Sequence, residues 1–430
     1  MFRIFHSCGL ILLAFLAGCS DFSPPEERDL VVHDTEFSAE ELKEILSLSP
    51  IPKAPENPTN QYADSPAAAE LGQQLFFETR LSKNGEVSCA TCHQPEQDWT
   101  DGRSLSKGLV EVSRNAPTLF NLAHSRWQFW DGRKDTLWSQ SLGPIENEKE
   151  MGGSRTQAYL LIAESPELAQ AYRKVFGDLP KLSTTDPPRS AQPLPNTPDH
   201  PMNQAWEQLS SRDQDLINRV FTNLGKAIEA YERKLVSENS RFDQFVAALN
   251  SAPGTAEEIL SASEVRGLQL FVGKGQCTFC HSGPLFTDLE FHNIGLDRGD
   301  GELDTGRFAG VEQVKTDPFN GLGPYSDDTS LEANKSLFYL AQKPNNLGEF
   351  KTPTLRNISN TAPYMHDGRF ATLAEVVEFY SLLHQQPALG HREETLQPLK
   401  LSETDLQDLV AFLGTLEGAP LPAALKTAPQ

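Results

Sequence analysis

Positive charge is scarce in this 430-residue chain: Lys and Arg number 37 against 59 Asp and Glu, a formal net charge of −22 at pH 7. Nucleic acid is thereby a poor partner, because phosphate contacts need Lys- and Arg-rich surfaces. Opposite fields speed encounter, so a cationic redox protein suits this surface better, although solubility alone also accounts for it. Long apolar runs are scarce too. Hydrophobic residues make up 38% of the chain, enough for packed cores, but only the N-terminus has a sustained run, Leu10 to Leu16 after Arg3. That excludes a membrane-spanning bundle.

The single run reads as a signal peptide over residues 1–18. It ends in Leu16-Ala17-Gly18-Cys19, the pattern of a bacterial lipobox in which Cys19 is acylated. The alternative is ordinary cleavage leaving Cys19 free. Ser20 rather than Asp follows, which in the usual sorting rule directs a lipoprotein to the outer membrane, on the periplasmic side of the envelope. Residues 19–65, rich in Pro and acid, read as a tether.

Cysteines number six. Cys8 leaves with the signal, Cys19 takes lipid, and the other four form two Cys-x-x-Cys-His motifs, Cys89-Ala-Thr-Cys92-His93 and Cys277-Thr-Phe-Cys280-His281. In an exported chain this pattern predicts covalent c-type haem: two thiols bond to the vinyl groups and the adjacent His ligates iron. A four-thiolate zinc site would need Cys92 and Cys277 to meet across 185 residues and leaves His93 and His281 without a role. A thioredoxin-like pair prefers a βαβ context, which this chain lacks.

The chain also repeats itself. Residues 117–137 and 353–373 align without a gap, so that Pro117, Thr118, Leu119, Asn121, Asp131, Gly132, Arg133, Thr136 and Leu137 each recur 236 positions later. Within that frame Trp130 takes the slot of His366. Gly72 to Phe76 is echoed by Gly267 to Phe271 before the second haem motif. The pattern predicts a mainly α chain of two tandem class I cytochrome c-like domains from an internal duplication, each with one covalent haem. We place the first at 66–248, with a Pro-rich loop (179–203) and linking helices (207–248). The second occupies 249–420 and carries an insertion, 297–348, that has no clear period. Helical spacing marks 67–80 and 264–271, and Ser402-x-x-Asp405 caps a closing helix with Leu406, Leu409, Val410 and Leu413 on one stripe.

With these motifs the sequence resembles the bacterial di-haem cytochrome c peroxidase and MauG superfamily over about residues 67–417. Arg114-Asn-Ala-Pro-Thr118, Phe129-Trp-Asp-Gly-Arg133, Gly143-Pro144, Glu150-Met151, Pro353-Thr-Leu-Arg-Asn357 and Thr361 to Gly368 carry the likeness. The resemblance implies an enzyme that uses hydrogen peroxide at the N-terminal haem and relays electrons through the C-terminal one. It also assigns Trp130, Gln140 and Glu150 by their spacing of ten: Glu150 as the base that moves the peroxide proton, Gln140 as the group that fixes peroxide, Trp130 as the inter-haem relay. An acidic surface run over 146–150 and a core Trp130 are the plainer readings.

Family members that need reductive activation carry a His before Arg-Asn-x-Pro-Thr, whereas residues 94–114 here hold none after His93 and Lys107 stands near the expected place. The first haem should therefore be open. For the second, the family places the sixth ligand 14 residues after His366, at Tyr380, where MauG has Tyr and the electron-transfer peroxidases have Met; Met365 is the competing candidate. A phenolate donates charge to iron and lowers its potential. The family's inter-haem calcium maps to Asn115, Thr361 and Pro363, oxygen ligands that suit Ca²⁺, though Asn115 also suits a turn. One position departs: where MauG uses a surface Trp two residues before the second haem motif, this chain has Gly275. Three functions compete, namely peroxide reduction with a small periplasmic cytochrome or copper protein as donor, MauG-like oxidation of a partner protein, and plain di-haem electron transfer.

Overall fold

In the computed structural model, residues 30–296 and 302–429 are described; the signal, Cys19 and residues 297–301 of the insertion lie outside them. The described chain opens with a hairpin of β1 (Leu30–Val32) and β2 (Thr35–Phe37), then α1 (Ala39–Ser47), which starts at a reciprocal Ser38/Glu41 capping box. Residues 30–48 are thus no tether. Val32, Phe37, Ile45 and Leu48 are buried in one core with Phe242, Phe245, Leu268 and Phe412 of the C-terminal half. Leu42, Ile45 and Leu46 do follow helical spacing, but the segment is short and lies in acidic, Pro-rich sequence, and the core it joins is distant.

The first half runs through α2 (Pro66–Phe76), α3 (Cys89–Cys92), α4 (Leu137–Glu146), α5 (Arg155–Glu164), α6 (Pro166–Phe176), α7 (Pro201–Glu207) and α8 (Ser211–Glu232). The second comprises α9 (Arg241–Ser251), α10 (Ala262–Val272), β3 (Phe291–His292), α11 (Arg307–Thr316), α12 (Lys335–Phe338), β4 (Phe350–Lys351) antiparallel to β3, α13 (Leu373–Leu382) and α14 (Glu403–Leu413). Residues 179–200 form no helix or strand, as the Pro-rich composition predicts. Among the described residues no helix is long and apolar enough to cross a membrane.

Two helix crossings organise the halves. At the first, Gly72 of α2 lies so close to α8 that a Cβ there would sit 1.8 Å from the Ala227 carbonyl oxygen. At the second, Gly267 of α10 meets Asp408 of α14, where a Cβ would sit 1.9 Å from the carbonyl oxygen. Only glycine permits either approach. The two crossings keep the same register. Tyr231 packs on Phe76 and Trp99 as Phe412 packs on Phe271 and Phe286. The Asn121 N–H donates to the Leu235 carbonyl as the Asn357 N–H donates to that of Leu416. Helix α8, expected as a joining helix, therefore closes the first half as α14 closes the second.

The segments 117–137 and 353–373 share their bends. Asn121 and Asn357 take φ of 60° and 61°, Phe129 and Met365 take 65° and 77°, Gly132 and Gly368 take 65° and 61°. Thr136 and Thr372 then cap α4 and α13. Each half has its own core, but three stretches cross over. Leu421 and Leu425 pack on the first core, Gln73 Nε2 donates to the carbonyls of Ala424 and Thr427, and Tyr231 Oη donates to that of Leu425. The N-terminal hairpin and α1 cap the second core. The insertion reaches the first half through Asp304 to Arg114, Asp317 to Lys134, and Asp327 to Lys226.

Candidate di-haem site

Each Cys-x-x-Cys-His motif follows the helix that makes the glycine crossing, so its thiols come out at a core edge. Cys89 packs on the first core and Cys277 on the second. The four thiols therefore do not converge on a common zinc ion. Burial pushes the Cys92 and Cys277 thiols up to about 12. Each adjacent imidazole is oriented alike: His93 Nδ1 lies 3.0 Å from the Trp99 carbonyl and His281 Nδ1 lies 2.8 Å from that of Phe286. A carbonyl only accepts, so Nδ1 carries the proton and Nε2 is left as the ligand atom. Trp99 and Phe286 hold these carbonyls by positive φ, 63° and 52°. Paired thiols, a preset imidazole tautomer and an aromatic core on each side fit a c-type haem in each half.

Trp130 lies between the halves. Its indole Nε1 donates to the Asn115 carbonyl at 3.0 Å, its own carbonyl accepts from the Lys351 N–H at 2.8 Å, and its ring meets His366 at 6.4 Å between centroids. His366 is buried and stacks on Phe350 at 3.7 Å and 12°. Burial pushes its imidazole down to about 4, so it is neutral.

Gln140 projects from α4 with its Oε1 buried and without a hydrogen-bond partner. Glu150 sits in the loop after α4, which Leu109 and Val110 grip by donating their N–H groups to the Glu150 and Lys149 carbonyls. Its charge reaches both Cys89 and Cys92. Burial raises the Glu150 carboxyl above the ordinary range, opposed by the Arg133 charge and a 2.6 Å hydrogen bond from Asn147. Glu150 is thus half-buried, bonded back to Asn147, with its charge felt at the first haem motif, whereas Asn147, Glu148 and Lys149 of the same run are exposed. Lys107 approaches the same motif through its carbonyl, 3.8 Å from Cys92 Sγ, while its side chain is exposed.

Tyr380 lies on α13, half-buried, and its phenol is pushed up by burial and then by the Cys280 and Cys277 thiols. It thus faces the second haem motif. Met365 instead occupies the loop slot that Phe129 fills in the other half. Asn115 is buried, donates its N–H to the His366 carbonyl at 2.9 Å and its Nδ2 to the Arg103 carbonyl at 2.8 Å, which leaves Oδ1 as the atom for a cation. Thr361 uses its hydroxyl on the Ile358 carbonyl, and a cis peptide joins Ala362 to Pro363. Gly275 donates its N–H to the Leu270 carbonyl at 2.7 Å, and a Cβ there would lie 2.6 Å from that oxygen. A tryptophan at 275 would need the backbone to move.

Motif reading gave no role to Arg114, which pairs with Asp131 at 2.6 Å and Asp304 at 2.8 Å and lies over Phe350 at 5.3 Å. It also passed over His292, clamped between Asp288 and Glu393 at 2.8 Å each; with Cys280, His292 and Asp288 make up the single cluster of three potential ligand residues among the described ones. The partners Asp304 and Glu393 lie 190 and 101 positions away and leave no local signal.

A family model described as di-haem cytochrome c peroxidase matches residues 66–251. Cytochrome-c peroxidase IdrP1 of Pseudomonas sp. (strain SCT) is 30% identical over 403 residues, covering 87% of this chain and 92% of the relative. Methylamine utilization protein MauG of Methylorubrum extorquens is 32% identical over 368 residues, covering 85% and 82%. Among solved structures, a MauG-like protein associated with microbial copper homeostasis superposes with a TM-score of 0.60 at 25% identity, over 88% of this chain and 98% of its own. The diheme peroxidase BthA of Burkholderia thailandensis shares the fold, with a TM-score of 0.59 at 23% identity, over 84% of this chain and 89% of its own. The chain belongs to the di-haem cytochrome c peroxidase and MauG family.

Proposed function

We propose that this chain is a peroxide-using di-haem oxidoreductase of the envelope, built by duplication of one cytochrome c unit, with covalent haem at Cys89, Cys92 and His93 and at Cys277, Cys280 and His281. A haem held by Cys89, Cys92 and His93 would supply the redox-active metal for peroxide reduction. Glu150 takes the proton from one peroxide oxygen and returns it to the departing one. Gln140 accepts a hydrogen bond from the peroxide hydroxyl through Oε1. Trp130 carries oxidising equivalents between the halves. In the second half Tyr380 would ligate the iron of a bound haem, and Asn115 with the Thr361 and Pro363 backbone would hold Ca²⁺. Cys19 takes lipid and tethers the protein to the outer membrane's periplasmic face, where a small cytochrome or copper protein donates electrons.

The observation that carries this reading is the pairing of Gln140 Oε1, buried and unpartnered, with a Glu150 charge that reaches both thiols of the first motif. Oxidation of a partner protein is the second activity of this class, but the packing of Gly275 argues against the surface-tryptophan route. The test is EPR of the oxidised protein as isolated, followed by peroxide addition without prior reduction. One high-spin five-coordinate and one low-spin ferric haem, with immediate reaction, is the expected result. Two low-spin haems inert to peroxide would mean an electron carrier, and reactivity only after half-reduction would mean a blocked first haem.

A further inference from the structure

Glu232 is a carboxyl where the fold asks for none. It lies at the end of α8, only 4% exposed, with Oε2 buried and unpartnered. The register of the two crossings pairs Ala227 with Asp408, Tyr231 with Phe412 and Leu235 with Leu416, so Glu232 corresponds to Leu413, a buried apolar residue of the second core. The second half thus fills the same place with hydrocarbon. A buried carboxyl without partners costs stability, and its retention in one half alone points to a task there.

Its surroundings define that task. Its neighbour Tyr231 packs on Trp99, whose carbonyl holds His93 Nδ1, and shares the first core with Cys89, so Glu232 lies on the part of α8 that backs the first haem motif, where its charge reaches the Cys89 thiol. The titratable groups acting with it are Glu229 and Tyr231 of α8 and Cys89 of α3. Charged residues of the other helices packed on α8 have partners of their own: Glu70 of α2 pairs with Lys174, Glu146 of α4 with Arg155 of α5, and Glu164 with Arg189. Arg233 pairs with Asp64. Among the described residues no Lys or Arg pairs with Glu232 to hold it in its ionised form. Burial and the Glu229 charge push it up to about 8.

We propose that Glu232 is a redox-linked proton site of the first half: it gives up its proton to solvent as the haem beside Cys89 loses an electron, and takes one back on re-reduction. One electron leaves to the oxidant, here peroxide or an electrode mediator, and one proton leaves with it, so the local charge stays constant in a medium where unbalanced charge is costly. The inference rests on haem attachment at Cys89 and Cys92 but not on peroxide turnover.

The experiment is a potentiometric titration of the holoprotein at a series of pH values around 8, following the two haems separately. In the native protein the first haem's midpoint falls as pH rises, approaching one proton per electron, while the second haem's stays flat over the same range. Glu232→Leu, which copies the second half's own solution, flattens the first haem's slope, and Glu232→Asp restores it. A native first haem without a slope, or a Glu232→Leu protein that keeps it, overturns the proposal. Should the variants fail to take haem, redox-difference infrared spectra of the native protein decide: a protonated-carboxyl band lost on oxidation is required, and its absence refutes the assignment. Failure of the peroxidase reading would leave these titrations unaffected.

Discussion

Trp130 and His366 meet edge to face, ring centroids 6.4 Å apart, and both are tied to Asn115: the indole donates to its carbonyl, and its N–H donates to the His366 carbonyl. The two rings that differ between the repeated segments are thus held as one unit. Trp130→Phe keeps the aromatic volume and removes the oxidisable indole and its hydrogen bond. We expect both haems to be retained while electron passage between them slows in stopped-flow traces. Unchanged rates would remove Trp130 from the path.

Glu150→Gln should lower peroxide turnover by about 10²–10⁴-fold with haem content unchanged, the range for losing a positioned proton-transfer group. Because burial raises this carboxyl and its charged form is the base, activity should fall on acidification at a pH above that of an ordinary glutamate. The acidic limb should vanish in Glu150→Gln. A limb that survives would belong to another group.

Tyr380→Phe should abolish the native low-spin EPR signal of the second haem, and Tyr380→Met should raise that haem's potential, since thioether sulfur donates less charge than phenolate. Spectra of Met365→Leu should match those of the native protein. A native signal in Tyr380→Phe would return the ligand role to Met365.

Arg356 is 1% exposed and binds Asp243 at 2.7 Å, the Leu48 carbonyl at 3.1 Å and the Pro284 carbonyl at 2.9 Å. It joins the N-terminal segment, α9 and the loop after the second haem motif. Arg356→Ala should cost about 3–5 kcal/mol, because it strands Asp243 in a buried setting. Asp243 lies below the usual aspartate range despite its burial, held there by Arg356. A depressed carboxylate contributes stability above its unfolded pKa of about 3.9, and that stability is lost as pH falls through the lower folded value. Acid unfolding curves of native and variant should therefore converge at low pH; a constant offset would show that the loss does not depend on Asp243 ionisation, and coincident curves that the pair adds nothing.

The haem motifs, the caps and the repeated bends were legible because each is local. Ser402 and Asp405 announce α14 within four residues, and Asn121 and Asn357 sit where backbone geometry needs positive φ. What could not be read were contacts between segments remote in sequence. Ser38 and Glu41 spell a cap as plainly as Ser402 and Asp405 do, yet Pro-rich composition masked it, and α1 has its apolar partners more than 190 positions away. The insertion shows no period because single residues fasten it to the first half, Asp304 to Arg114, Phe319 on Phe221 and Val314 beside Trp127, rather than one apolar stripe. In the site, Gln140 and Glu150 were singled out by the spacing that the family resemblance implies, but Glu232 became visible only once α8 and α14 were laid in the same register.

The crossed ends of the chain have a further consequence. Val32, Phe37 and Ile45 seal the half that is synthesised last, whereas Leu421 and Leu425 seal the half that is synthesised first. The earlier-made unit is therefore completed only when residues beyond 420 emerge, and neither unit can melt without tearing a strand of sequence from the other. Heating should give a single cooperative endotherm in place of two, and removing residues 419–430 should loosen the unit that lies farthest from them along the chain.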